Sequence, residues 1–170
     1  MKKLLYLPLL VLLLVGSTVS AQTPKFGHIN TNELLSIMPG RDGAQQELER
    51  YARDLETQFT AMQTELQTKY TDYLANEATY SELIRTSKQR EITSLQERIQ
   101  DFQEQAQQDL MNQENRLLSP IIEAARKAIE DVATENGFAY VFDTASGTVI
   151  HFPASDNIMD LVKKKLGINE

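Results

Sequence analysis

No cysteine occurs anywhere in this sequence of 170 residues. Disulfides and thiolate metal sites are therefore excluded, and stability must come from packing or from association between chains. Tryptophan is absent as well, and His28 and His151 are the only histidines. No Gly-rich phosphate loop, metal-spaced His/Asp/Glu cluster or nucleophile motif is found. Each histidine falls in a predicted strand and reads as structural. Nothing supports an enzyme, and neither a metal nor a cofactor is expected. Positive charge is scarce too: 17 Lys and Arg stand against 24 Asp and Glu, a net charge of −7. Such a chain repels phosphate backbones and anionic lipid surfaces, so nucleic acid is not an expected partner. Glycine and proline are missing from the whole stretch between Gly43 and Pro120, so neither strong helix breaker interrupts it.

What is present begins with an export address. Lys2 and Lys3 form a positive start, Leu4 to Val15 is an apolar run, and Val19-Ser20-Ala21 supplies small residues for cleavage after Ala21. The run is about twelve residues, short of the roughly twenty that span a bilayer. Residues 1–21 are therefore read as a signal peptide. Losing Lys2 and Lys3 with it takes the net charge from −7 to −9.

The middle of the chain carries a heptad pattern. Leu48, Ala52, Leu55, Phe59, Met62, Leu66, Lys69 and Tyr73 step alternately by four and three, with one polar lapse at Lys69. A second run, Ile92, Leu95, Ile99, Phe102 and Ala106, loses phase near Leu110. Thr79-Tyr80-Ser81-Glu82 offers a capping box between them, with Asn76 able to end the first helix in a left-handed conformation. The reading is an antiparallel hairpin over 42–118, with arms from Asp42 to about Ala78 and from about Tyr80 to Leu118. At 1.5 Å per residue each arm spans roughly 55 Å and must project from the rest. The alternative is one continuous helix in a parallel dimer, which the capping box and the phase break disfavour.

The flanks, 22–41 and 119–170, form a small β-containing body. Lys25 to Asn30 reads as a strand, and Asn30 as the cap of a short helix ending at Pro39-Gly40. Ser119-Pro120 is expected to restart a helix, stopped by Asn136-Gly137. FAYVFD (138–143) and TVIHF (148–152) are expected strands, and Asp156 is the expected cap of a last helix that closes on Lys163 to Lys165. Phe138, Tyr140 and Phe142 should share one strand face and Ala139 and Val141 the other, so both faces are apolar. About seventy residues without disulfides make a core near the size that needs reinforcement. Self-association is therefore expected through Phe26, Ile29, Phe138, Tyr140, Val141, Phe142, Val149 and Ile150. The fold class is α+β, predominantly α: a long helical hairpin projecting from a small β body that oligomerises.

The signal peptide, the opening FGHINTNELLSIMPGRDGAQQEL, the cysteine-free Gln-rich hairpin, FAYVFD and the closing DLVKKKLG together resemble the Skp/OmpH family of periplasmic chaperones. The resemblance runs over essentially the whole mature chain, and the order of elements carries more of it than any single motif. It implies a homotrimer whose arms hold unfolded outer-membrane β-barrel proteins without ATP, in the periplasm. Off-seam apolar residues Tyr51, Tyr70, Leu74, Tyr80, Leu83 and Met111 are then the candidate client contacts. One departure matters. Well-known members are basic, whereas residues 41–118 here carry nine basic and fifteen acidic side chains, a net of −6. Lipopolysaccharide binding is therefore not carried over. The competing reading is a structural coiled-coil spacer or adaptor in an envelope assembly.

Overall fold

The computed structural model describes residues 23–168. The expected cleavage site at Ala21 lies outside them. Five hydrophobic elements of the ends close on one another, and everything between projects. Strand β1 (Lys25–Ile29) leads into helix α1 (Thr31–Ser36). Asn30 caps α1 by accepting from the Glu33 N–H at 3.1 Å, as its position in the sequence suggests. Gly40 then takes a left-handed conformation, φ 84°, and turns the chain into α2 (Arg41–Asn76). After a tight turn at Glu77–Thr79, helix α3 runs from Glu82 to Glu135 (Glu82–Glu135). Gly137, φ 69°, stops it, and β2 (Phe138–Asp143) follows. A turn at Ala154–Asp156 precedes the last helix, α4 (Met159–Leu166).

The two strands are parallel neighbours. Parallel neighbours need a crossover, and here the crossover is the entire α1–α2–α3 excursion of residues 30–137. The core sits under the strands. Ile29, Leu34 and Met38 meet Ala125, Ala128 and Val132 of α3 and Ile158, Met159 and Val162 around α4. Asp143 ties the end of β2 to the start of α1, accepting from the Thr31 hydroxyl (2.7 Å), the Thr31 N–H (3.2 Å) and the Ala145 N–H (2.9 Å). Partial burial pushes its pKa up, but these hydrogen bonds outweigh it and hold the carboxyl below its usual range.

The hairpin is as expected, but several details differ. The second long helix does not restart at Ser119-Pro120; α3 passes through Pro120 unbroken. Pro120 has no N–H for the Arg116 carbonyl, yet both residues are exposed, so water can take that bond. At the arm tip the helix cap is Ser81, whose hydroxyl accepts from the Ile84 N–H, while the Thr79 hydroxyl donates back to the Asn76 carbonyl. Asn76 is not left-handed (φ −117°); its amide bonds to the Asp72 carbonyl, and the chain tightens into a single 3₁₀ turn instead. At α4 the capping side chain is Asn157, which accepts from Met159, and Asp156 belongs to the preceding turn.

The sheet has two strands, and residues 148–152 form none, so His151 lies in an exposed loop. His28 explains why. It is 5% exposed, its ring packs 4.3 Å from that of Phe152, and its Nε2 lies 2.9 Å from the Pro153 carbonyl. The Ile158 N–H donates to the His28 carbonyl on the same edge of β1. These contacts draw the segment across to β1, away from the free edge of β2, and Ile150 is left 97% exposed.

Candidate functional site

Every predicted seam position of α2, from Leu48 to Tyr73, is buried or half-buried, and its flanking residues are mostly exposed. On α3, Ile92 and Leu95 are buried and Ile99, Phe102 and Ala106 half-buried. Cross-arm pairs fix the register: Gln113 donates to Glu47 at the base, Lys69 pairs with Glu91, and Lys88 with Asp72 near the tip. Lys69 thus occupies a seam position without an unpaired charge. Its hydrogen bond to Glu91 raises its pKa, and the same bond holds Glu91 low. The seam shifts phase at Leu110 because α3 takes two successive steps of four, Phe102 to Ala106 to Leu110, after which Gln113 and Leu117 resume the covered face.

The tip is built from tyrosines. Tyr73 is buried; its hydroxyl donates to Glu77 (2.8 Å) and accepts from Gln89 (2.8 Å). The Tyr80 ring lies 6.4 Å from that of Tyr73, and its hydroxyl donates to Asp72. Burial, followed by the bonded carboxylates, pushes both phenols above their ordinary range, so both stay protonated donors. Tyr80 therefore serves the turn, and its half-buried ring offers less free surface than the sequence suggested. Tyr51 is also half-buried. The other off-seam residues are open: Tyr70 48%, Leu74 55%, Leu83 81% and Met111 52% exposed. Ile84, at 46%, joins them at the tip and was missed because it sits in the first turn after a cap, where no seam had yet been established.

The body presents a second apolar surface. The pairing of β1 with β2 slips between Lys25 and Phe26, so that Ala139 is left over. This bulge overturns the expected alternation. Phe138 and Val141 both turn inward onto the core, and Ile29 is fully buried there. Tyr140 and Phe142 face outward with Phe26, the three ring centroids 6.0 to 6.3 Å apart. Of the eight residues expected to mediate association, Ile29, Phe138 and Val141 therefore contribute to the protomer's own core. Phe26, Tyr140, Phe142 and Ile150 are exposed, and Val149 is half-buried. A hollow of about 460 Å³ between β1 and residues 148–153 continues this face. Among the described residues no cluster of His, Asp and Glu could hold a metal ion, and no helix is long and apolar enough to cross a membrane.

Comparisons with known proteins bear on this arrangement. The family model for outer membrane protein (OmpH-like), OmpH, matches residues 25–166. The chaperone protein Skp of Yersinia enterocolitica is 26% identical over 156 residues, covering 89% of this chain and 92% of that protein. The protein of the same name in Photorhabdus laumondii is 25% identical over 170 residues, covering 98% and 99%. Among solved structures, an OmpH-like outer membrane chaperone of Caulobacter crescentus superposes with a TM-score of 0.73 at 14% identity, over 85% of this chain and 84% of that one. That likeness is one of fold.

Proposed function

This chain belongs to the OmpH/Skp family of chaperones, and from that premise we propose that it is an ATP-independent holdase of the periplasm. Its clients in this reading are unfolded outer-membrane β-barrel proteins, kept from aggregating between the arms of a homotrimer, and no chemical step is catalysed. The observation that carries the reading is the division of labour along the arm. The seam satisfies itself within one chain, so Tyr70, Leu74, Leu83, Ile84 and Met111 are left exposed on a projecting hairpin. A strand destined for a membrane barrel alternates apolar and polar residues and needs its apolar side hidden without being fixed in place. Scattered, separately weak apolar contacts on a long arm meet that need.

The exposed Phe26, Tyr140 and Phe142 rings and the strand-like sequence of residues 148–152 support assembly through the body. In this reading a neighbouring copy covers the rings, and the free edge of β2 gains a partner strand. The decisive experiment shortens the arms. Deleting Gln67 to Leu95 and rejoining Leu66 to Gln96 across a new turn removes between about three and four turns from each helix. The body is untouched, so the oligomer should persist, while suppression of aggregation of a urea-diluted barrel protein should fall sharply. A shortened oligomer that protects the barrel at the wild-type stoichiometry would falsify the reading, as would a wild-type protein that gives no protection, the behaviour of a spacer.

A further inference from the structure

One face of the arm carries neutral amides where a coiled coil usually carries charge. Gln96, Gln100, Gln103 and Gln107 each follow a seam residue of α3 by one position, after Leu95, Ile99, Phe102 and Ala106. These flanks of a seam commonly hold Glu and Lys that pair across the interface. Toward the tip the arms do pair charges, seam residue Lys69 with Glu91 and Lys88 with Asp72. All four glutamines are exposed, and none of their side-chain amides makes a hydrogen bond within the described residues. Gln45, Gln67, Gln89, Gln108 and Gln113 are engaged by neighbours, whereas Gln46, Gln58, Gln63 and Gln105 also lack a partner among the described residues, so what sets the four apart is their clustering along one groove. The four rim an open groove of about 590 Å³ floored by Leu66 and Ile99, in which Glu104 is the one charged lining residue.

We propose that this amide-lined groove binds an extended polypeptide segment through its main chain. Each amide offers two donors and an acceptor, the complement of a peptide group. From Gln96 to Gln107 the stripe is about 16 Å long, the length of some five residues of extended chain. Its mean repeat of about 5.5 Å is close to the two-residue repeat of a strand, near 6.7 Å, and flexible glutamine side chains can take up the difference. A groove nearly free of charge suits a neutral backbone better than an anionic lipid or a charged peptide motif. Main-chain recognition is also indifferent to sequence. The inference rests on the holdase reading and adds to it: the exposed apolar residues hide client side chains, and the amides occupy the peptide groups that would otherwise pair strand with strand into aggregates.

The test uses the purified oligomer with Gln96, Gln100, Gln103 and Gln107 all changed to Ala, a substitution that favours helix. Circular dichroism and sedimentation should match the wild type. Affinity for a urea-diluted barrel protein should fall at least about tenfold, the factor that one to two net hydrogen bonds supply. A second measurement is independent of that variant: a ten-residue peptide of alternating Val and Ser, with a copy N-methylated at every second residue, competing for the wild type. The methylated copy should compete about tenfold less well, and the two should be equivalent against the variant. A variant that holds the barrel as well as the wild type, or peptides that compete equally for the wild type, would overturn main-chain recognition and leave the holdase reading standing. A wild type that holds no barrel protein would remove both.

Discussion

Replacing Tyr140 with Asp separates the assembly face from the protomer core. Tyr140 is 63% exposed, and Phe26 and Phe142 are each 45% exposed. With aromatic side chains offering on the order of 200 Å² each, the three leave roughly 300 Å² of ring surface open on every copy. Covering that surface is worth about 8 kcal/mol per copy at 25 cal/mol per Å², of which Tyr140 supplies about 3 kcal/mol. A closed symmetric assembly repeats the loss in each subunit, so Tyr140→Asp forfeits about 9 kcal/mol in a trimer before the buried carboxylate is counted. Dissociation at micromolar concentration should follow. Val141→Asp should behave differently, because Val141 packs on the protomer's own core and its loss should unfold the body. Sedimentation velocity with circular dichroism distinguishes the two outcomes: folded monomers for Tyr140→Asp, loss of structure for Val141→Asp. A Tyr140→Asp protein that sediments as the wild type would refute both the bulge-determined facing of this strand as an assembly surface and the area argument.

Four further substitutions probe the fold. Leu95→Ala empties a fully buried seam position and should cost about 2 to 5 kcal/mol, whereas Leu83→Ala, 81% exposed, should stay within about 0.5 kcal/mol; urea titrations followed by circular dichroism compare them. Gly27→Ala would bring a Cβ to 3.0 Å from Ile158 Cγ2 and 3.1 Å from the Phe138 ring, an overpacking that should cost about 1 to 3 kcal/mol and lower the thermal midpoint. Asp143 links β2 to α1 as a carboxylate whose pKa is lower folded than unfolded. Its contribution is therefore complete above the unfolded value, about pH 4, and lost as pH falls through the lower folded value. Asp143→Asn should remove that dependence, so an acid titration of stability that is unchanged in the variant would contradict the assignment.

The parts of this fold that were legible in the sequence are those governed by neighbours in the chain. The seam of α2 reads off Leu48 to Tyr73 because a three-four alternation is a local property of one helix. Asn30 and Gly137 mark ends for the same reason. The misreadings all involve a choice made at a distance. Ser119-Pro120 has the form of a helix start, but whether proline ends a helix depends on whether the freed carbonyl faces water, which here it can. Thr79 and Ser81 are both fair caps, and the packing of Tyr73 against Tyr80 selects the second. The facing of Phe138 follows from a bulge in its pairing with β1, and no alternation within FAYVFD encodes it. TVIHF has the pattern of a strand, but within one chain His28 holds Phe152 and Pro153 and draws it away from the available edge. The exposure of the tip residues followed correctly from their being off the seam, except for Tyr80, whose hydroxyl found Asp72.

The acidity of the arms fits the same division between what a hairpin needs for itself and what it leaves over. Ion pairs such as Lys69–Glu91 and Lys88–Asp72 engage some of the arm's cations within the chain, and the surplus of carboxylates faces solvent. In the proposed trimer each arm carries a net −6. Repulsion between such arms is screened beyond about 8 Å at physiological ionic strength, so it does not force them apart at a distance. It acts when they approach, and there it opposes collapse of one arm onto another. That collapse is the event the exposed Leu74, Leu83 and Ile84 would otherwise favour. An acidic arm with neutral amides and isolated apolar residues can therefore stay open to an unfolded chain while remaining closed to its own copies. A basic arm achieves the same separation and in addition attracts anions. This arm, on its charge, gives up that attraction and must hold a client through apolar and hydrogen-bonding contacts.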